Sequence, residues 1–130
     1  MTDRLEIERL LHKLYAARLR GDLDTVCQAF TDDATLQIAG ASNVSPVGVK
    51  LVGVDQYRPL LGLMIKSFKL SNQTILSMMI DELKAAVHWR VRVHSKITGT
   101  TVLTELVDLV EVKSRRIASY IEFFVPCSSP

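Results

Sequence analysis

A chain of 130 residues is long enough for one domain with a single core, and we expect residues 1–130 to form that domain. Apolar residues make up 48% of the chain and charged residues 23%, a balance that excludes a disordered or low-complexity protein. Sixteen basic side chains against fourteen acidic ones leave a net charge of +2, which is too small for a nucleic-acid-binding surface.

Two helices are predicted in the first thirty residues. Asp3 and Glu6 have the spacing of a capping box, and Gly21 supplies a left-handed stop. Asp22 then caps a shorter second helix, whose buried side extends to Phe30. The acidic amino terminus lacks the apolar segment of a signal peptide and predicts a cytoplasmic protein. One face of the first helix is apolar at the three-four spacing, at Ile7, Leu10, Leu11, Leu14 and Ala17.

The middle of the chain predicts a turn, two short strands and a third helix. Residues 31–33 are short and polar and predict a turn, and strands are predicted at 34–39 and 47–52 on either side of a polar loop at 40–46. Pro59 is expected near the first turn of the third helix, because further in it would remove a backbone hydrogen bond. The apolar residues that predict that helix are Leu60, Leu61, Met64 and Ile65, with Phe68 beyond them.

The second half of the chain predicts antiparallel strands. Helices followed by a long meander indicate an α+β fold. A strongly curved sheet wrapped around helices leaves one open end, which is a natural place for a small-molecule pocket. The four predicted strands are residues 70–80, 85–98, 101–112 and 117–125.

Strand alternation places one carboxylic acid on an apolar face. Asp108 shares its face of the strand at 101–112 with apolar residues such as Leu106 and Val110. Burying it ionised and without a partner would cost several kcal/mol, so Asp108 must be paired, hydrogen-bonded or protonated. On the preceding strand, the face opposite Trp89 carries His88, Arg90, Arg92 and His94.

Four segments of the chain resemble one superfamily of proteins. They are residues 20–24 (RGDLD), 29–35 (AFTDDAT), 53–55 (GVD) and 116–124 (RIASYIEFF). The chain resembles the nuclear transport factor 2-like superfamily, and within it the SnoaL-like polyketide cyclase and ketosteroid isomerase-like branches. The resemblance implies a cone-shaped α+β barrel, in which three helices from the N-terminal half pack in a strongly curved, mostly antiparallel sheet. Because this fold hosts isomerases, cyclases, dehydratases, epoxide hydrolases and non-catalytic proteins, the fold alone does not select a reaction.

The isomerase branch is matched at one of its three catalytic positions. Asp108 aligns with the acid that, in that branch, stays protonated and donates a hydrogen bond to a developing enolate. The position of the family's tyrosine corresponds to Leu14, one residue before Tyr15, and that of its general base to Ile38. The resemblance therefore argues against steroid double-bond isomerisation.

The cyclase branch implies a carboxylate that removes a proton next to a carbonyl group, with a histidine assisting. Asp108 is the predicted base, and its partner is either Glu122 or, where a β-bulge turns one of them inward, His94 or His88. In the alternative, Asp108 only stabilises the fold by accepting a hydrogen bond from Tyr120, Thr104 or a water. Glu122 would then be a rim residue, and His94 would belong to a solvated or subunit-facing sheet surface.

The resemblance also implies an apolar pocket for a small hydrophobic ligand. A homodimer is expected through the outer sheet face, where charges mix with Val107 and Leu109. We predict neither a cofactor nor a metal site, since no cluster of ligand residues has the required spacing, and neither nucleic acid nor a membrane is an expected partner. The predicted pocket residues are Leu14, Phe30, Ile38, Leu61, Val87, Trp89, Leu106, Tyr120 and Phe124.

Three functions follow as hypotheses. The first is a cofactor-independent enzyme of the cyclase, isomerase or dehydratase type, which moves a proton on a small hydrophobic carbonyl compound through Asp108. The second is a non-catalytic binder of a small apolar ligand, because the base and the phenol of the isomerase branch are missing at the aligned positions. The third is a dimerisation module whose pocket is filled by side chains.

Overall fold

The computed structural model describes residues 3–41 and 46–127, which contain three helices and six strands. The helices are α1 (Arg4–Arg20), α2 (Leu23–Gln28) and α3 (Val54–Ser67). The strands are β1 (Phe30–Ala41), β2 (Pro46–Val52), β3 (Phe68–Asp81), β4 (Lys84–Ser95), β5 (Thr101–Lys113) and β6 (Arg116–Pro126). In this part of the chain, no helix is both long and apolar enough to cross a membrane.

The first two helices begin and end where their capping residues predict. The Asp3 carboxylate accepts a hydrogen bond of 2.9 Å from the amide of Glu6, and Gly21 ends α1 in the left-handed region with φ 70°. The carboxylate of Asp22 accepts a bond of 3.2 Å from the amide of Thr25 at the start of α2. These local predictions are confirmed.

The six strands form one mixed sheet in the order β2-β1-β6-β5-β4-β3. All neighbouring strands are antiparallel except β1 and β6, which run parallel. The three helices pack against this curved sheet and contribute Leu11 of α1, Val26 of α2 and Tyr57 of α3 to the core. The predicted α+β fold is confirmed.

Strand register places the inward-facing residues of the central strands in rows. One row joins Ile38 of β1, Glu122 of β6 and Asp108 of β5. The next row joins Gly40, Phe124 and Leu106 on the same three strands. Burial alternates along β5 as predicted, so the face that carries Asp108 is the buried one.

Two sequence predictions are wrong near β1 and α3. Residues 31–33 do not form a turn but lie within β1, where a register shift between Phe30 and Thr35 accommodates them while Asp32 and Asp33 stay exposed. Pro59 is the sixth residue of α3 and lies beyond its first turn. The missing hydrogen bond is offset by the burial of Tyr57 and Leu61 on the same helix.

Several element ends also differ from their predictions. Phe30 is the first residue of β1, not the end of α2. The strand predicted at 85–98 stops at Ser95, because its hydroxyl oxygen accepts bonds from the amides of Ile97 and Thr98 and so forms a turn. Of the loop predicted at 40–46, both ends belong to strands, and residues 42–45 lie outside the described residues.

Candidate functional site

Asp108 is fully buried and receives three side-chain hydrogen bonds on one oxygen. Its Oδ2 accepts from the Tyr15 hydroxyl at 2.6 Å, from the Trp89 indole Nε1 at 2.8 Å and from the Tyr120 hydroxyl. Its Oδ1 is also buried and has no hydrogen-bond partner within residues 3–41 and 46–127. A buried acid with donors from a helix and two strands is a rigid group at the centre of the domain.

The first helix provides a phenol, that of Tyr15, one residue after the position that was aligned with the family's tyrosine. Leu14 is buried in the core, whereas Tyr15 points at Asp108, so the expectation of a missing phenol is wrong. Tyr120 supplies a second phenol. Ile38 occupies the aligned position of the isomerase base and is apolar, so the isomerase constellation remains incomplete.

A second carboxylate, Glu122, lies next to Asp108 across the β5–β6 ladder. The Arg18 guanidinium donates to both of its oxygens, at 2.5 Å from Nη1 and 3.1 Å from Nη2. The Tyr120 hydroxyl lies 3.2 Å from Glu122 Oε2 and also contacts Asp108, so it connects the two carboxyl groups. Arg18 stacks 5.0 Å from the centre of the Trp89 ring, which adds a cation–π contact.

The two carboxyl groups are driven toward different protonation states. Burial raises the pKa of Asp108 well above its usual range, and the charge of Glu122 raises it further. Burial also opposes the ionisation of Glu122, but the charge and hydrogen bonds of Arg18 outweigh it and lower the pKa of Glu122. Burial raises the pKa of the Tyr15 and Tyr120 hydroxyls, which therefore remain donors. Asp108 therefore favours its neutral form and Glu122 its ionised form.

This division predicts a measurable pH dependence of stability. Because the pKa of Asp108 is raised on folding, its contribution is complete below the unfolded value of about 4 and is lost as the pH rises through the folded pKa. Asparagine does not titrate, so the stability of Asp108→Asn lacks this dependence on pH. We expect the melting temperature of the natural protein to fall relative to that of Asp108→Asn as the pH rises from about 4.

The control for this pH experiment is Glu111→Gln, which alters an exposed carboxylate on β5. Thermal unfolding of the three proteins is followed by circular dichroism across the same pH range. Curves for the natural protein and Asp108→Asn that stay parallel would show that Asp108 titrates normally.

An apolar cavity of about 430 Å³ lies beside this polar network. Arg18 and Glu122 are the charged side chains on its wall among the described residues, and Asp108 lies behind them. Of the predicted pocket residues, the structure places four on the wall: Ile38, Leu61, Leu106 and Phe124. The others are buried in the core beside it: Leu14, Phe30, Val87, Trp89 and Tyr120.

The structure does not bring His94 to the carboxyl pair. His94 lies on the outer face of β4, where its Nδ1 is 2.9 Å from the Thr101 hydroxyl. His88 on the same face pairs with Glu105 at 2.7 Å. No group of three potential metal ligands occurs in the part of the chain that the structure describes.

Sequence reasoning missed Arg18 as a member of the site. Arg18 follows Leu14 by four residues and Leu11 by seven, so it extends the buried face of α1. A basic residue at the end of an apolar helical face requires an acidic partner once it is buried. That pattern could have identified Arg18, but the sequence gives no means of choosing Glu122 as its partner.

The fold, with two carboxyl groups beside an apolar cavity, defines a class of α+β domains with an internal pocket. Comparison of the sequence with family models identifies the family. The family model for the SnoaL-like domain matches residues 11–120, so the chain belongs to the SnoaL-like domain family. A comparison with curated proteins finds no significant match.

Solved structures share the fold at low sequence identity. A candidate isomerase from Bacillus subtilis has a TM-score of 0.82 at 17% identity, covering 95% of this chain and 89% of that one. An LEH-like epoxide hydrolase from M. tuberculosis has a TM-score of 0.73 at 20% identity, with coverages of 92% and 83%. An NTF2-like protein from Burkholderia xenovorans LB400 has a TM-score of 0.77 at 17% identity, with coverages of 95% and 92%. These similarities confirm the nuclear transport factor 2-like fold.

Proposed function

We propose that this protein is a cofactor-independent enzyme that moves a proton on a small hydrophobic carbonyl compound bound in the cavity. The observation that carries the proposal is a carboxyl group, Glu122, on a mostly apolar wall, held by Arg18 and connected through Tyr120 to the buried Asp108. The reaction class is that of a cyclase, isomerase or dehydratase. At roughly 30 Å³ per water-sized group, the cavity holds on the order of 14 non-hydrogen atoms.

Glu122 is the proposed base, and Asp108 is assigned a positioning role. Glu122 lies on the cavity wall in the form that accepts a proton, whereas Asp108 is enclosed and favours its protonated form. Glu122 removes a proton from the carbon next to the carbonyl; the electron pair of that C–H bond becomes the C=C bond of an enolate, and the π pair of the carbonyl moves onto its oxygen. Return of the proton to another atom completes an isomerisation. In a cyclisation, the enolate carbon attacks a second carbonyl carbon of the same molecule, the π pair of that carbonyl moves onto its oxygen, and that oxygen takes the proton from Glu122.

Arg18 is the proposed partner of the developing enolate oxygen. A guanidinium has five N–H groups, and the hydrogen bonds of Arg18 to Glu122 and Tyr120 use three of them. The remaining donors are available to a carbonyl oxygen at the wall. A fixed cation on an apolar wall stabilises negative charge more strongly than one in bulk water, because the surrounding side chains screen it less than solvent does.

The test of this function is hydrogen exchange next to a carbonyl group. Incubating the protein with 1-decalone in D₂O should incorporate deuterium beside the carbonyl faster than buffer alone, with saturation in ketone concentration, as measured by NMR. The readout requires no knowledge of the natural product. A ketone that binds in calorimetry yet exchanges at the buffer rate would exclude the enzyme.

The alternative function is non-catalytic binding of a small hydrophobic ligand. It is favoured by the two-point pairing of Arg18 with Glu122, which already satisfies both oxygens of the carboxylate. The exchange experiment separates these functions, since a binder raises the melting temperature with ketone and leaves the deuterium content unchanged. The third hypothesis, a dimerisation module with a filled pocket, is not favoured, because the cavity has a volume of about 430 Å³.

We further propose a homodimer formed through the outer face of the sheet. Neighbouring apolar side chains on this face are well exposed, with Val107 at 39%, Leu109 at 42% and Phe123 at 43%. A charge in the middle of a self-complementary apolar patch would remain desolvated in the dimer. Leu109→Lys is therefore expected to give a monomer in sedimentation equilibrium.

The matched control for the dimer is Leu5→Lys, which changes an exposed leucine on α1, away from the sheet. It should leave the molecular mass unchanged. If the natural protein and Leu109→Lys have the same molecular mass, the outer face of the sheet is not the dimer interface.

A further inference from the structure

Gly40 and Phe124 form an unusually close pair on the cavity side of the sheet. They are register partners on the parallel strands β1 and β6. A Cβ atom built on Gly40 would lie 2.3, 2.6 and 2.7 Å from three carbon atoms of the Phe124 ring. The ring therefore occupies the space that any other residue at position 40 would need.

Space, and not backbone conformation, explains this glycine. Gly21, Gly53 and Gly99 have positive φ, whereas Gly40 has an ordinary strand conformation that any residue can adopt. Glycine weakens a strand interior because it has no side chain to pack. In exchange, the Phe124 ring lies back against the backbone of β1.

The Phe124 ring forms part of the cavity wall. Phe124 is on the cavity wall, two residues from Glu122 along β6, which is about 7 Å. Leu106 of β5 is its partner on the other side and also lines the cavity. A side chain at position 40 would move the ring away from β1 and into the space between Phe124 and the ligand.

We propose that Gly40 and Phe124 determine substrate specificity by keeping the cavity wide about 7 Å from Glu122. The substrate class is then a compact, ring-containing carbonyl compound, since a single alkyl chain would leave unfilled space and lose contacts there. This inference rests on the proposed function for the identity of the ligand, but the geometry of the ring does not depend on catalysis.

Two ketones with the same number of carbon atoms test the proposal. Calorimetry compares the bicyclic 1-decalone with the linear 2-decanone on the natural protein and on Gly40→Ala. Gly40→Ala should weaken 1-decalone binding by about tenfold or more, and 2-decanone binding by less than about threefold. The control is Gly48→Ala, because a Cβ there would lie 4.0 Å from the nearest atom, an ordinary contact.

A rescue variant tests whether Phe124 transmits the effect. In the Phe124→Ala background there is no ring to displace, so adding Gly40→Ala should change 1-decalone affinity by less than about threefold. The proposal would be overturned if Gly40→Ala weakened the binding of both ketones equally or of neither. It would also be overturned if Gly40→Ala still weakened 1-decalone binding in the Phe124→Ala background.

A crystal structure of Gly40→Ala decides the geometry even when neither ketone binds. The Phe124 ring should move toward the cavity, and an unmoved ring would refute the inference. If the two ketones bind as predicted but no deuterium is incorporated, this inference stands and the proposed enzymatic function is wrong.

Discussion

Glu122→Gln is expected to reduce the deuterium exchange of 1-decalone by about 10²–10⁴-fold, the usual contribution of a general base. Glutamine has nearly the same size and still accepts a hydrogen bond from Arg18, but it cannot accept the proton. The loss should appear as a lower exchange rate at saturating ketone. Exchange rates are measured by NMR after circular dichroism has established that the variant is folded.

Two further variants make the Glu122 result specific. Glu105→Gln changes a half-exposed carboxylate on the outer face and should exchange at the natural rate. Glu122→Asp keeps the charge beside Arg18 while withdrawing the carboxylate by one methylene, so it should fold and lose most exchange. Full exchange by Glu122→Gln together with its loss in Asp108→Asn would instead identify Asp108 as the base.

Asp108→Ala is expected to lower the free energy of unfolding by about 3–5 kcal/mol. The substitution leaves the Tyr15 and Tyr120 hydroxyls and the Trp89 indole N–H buried without their acceptor. It also empties the space of a fully buried side chain. Urea unfolding at neutral pH measures the change.

Asp108→Asn separates the loss of hydrogen bonds from the loss of the acid. Its amide oxygen still accepts from the three donors, so its free energy of unfolding should lie much closer to that of the natural protein. Glu111→Ala removes an exposed carboxylate and should change stability by less than about 0.5 kcal/mol. A stability of Asp108→Ala equal to that of Glu111→Ala would show that the network contributes nothing to folding.

Local rules predicted the parts of this fold that depend on neighbouring residues. The caps at Asp3, Gly21 and Asp22 satisfy backbone groups three to five residues away, so the sequence contains all that they need. Strand alternation likewise identified Asp108 as a buried acid. Register shifts in the sheet depend on longer-range pairing and were not predicted. The turn at Ser95 that ends β4 is local, and the sequence analysis missed it.

The candidate site depends on contacts between distant parts of the chain. Arg18 and Glu122 are 104 residues apart, and Tyr15 and Asp108 are 93 residues apart. One position along a helix rotates a side chain by about 100°, so aligning the family tyrosine with Leu14 instead of Tyr15 aimed it into the core. The parallel pairing of β1 with β6, which sets Gly40 against Phe124, also has no local sequence pattern.

The position of Trp89 gives the protein a built-in optical probe. It is the only tryptophan in the sequence, its indole N–H is bonded to Asp108, and its ring touches Arg18. Indole emission responds to nearby charge, so a proton gained or lost by Asp108, or a guest that shifts Arg18, would alter its intensity or wavelength. Ligand titrations and rapid-mixing kinetics at the candidate site can therefore be followed by the fluorescence of Trp89 without an added label.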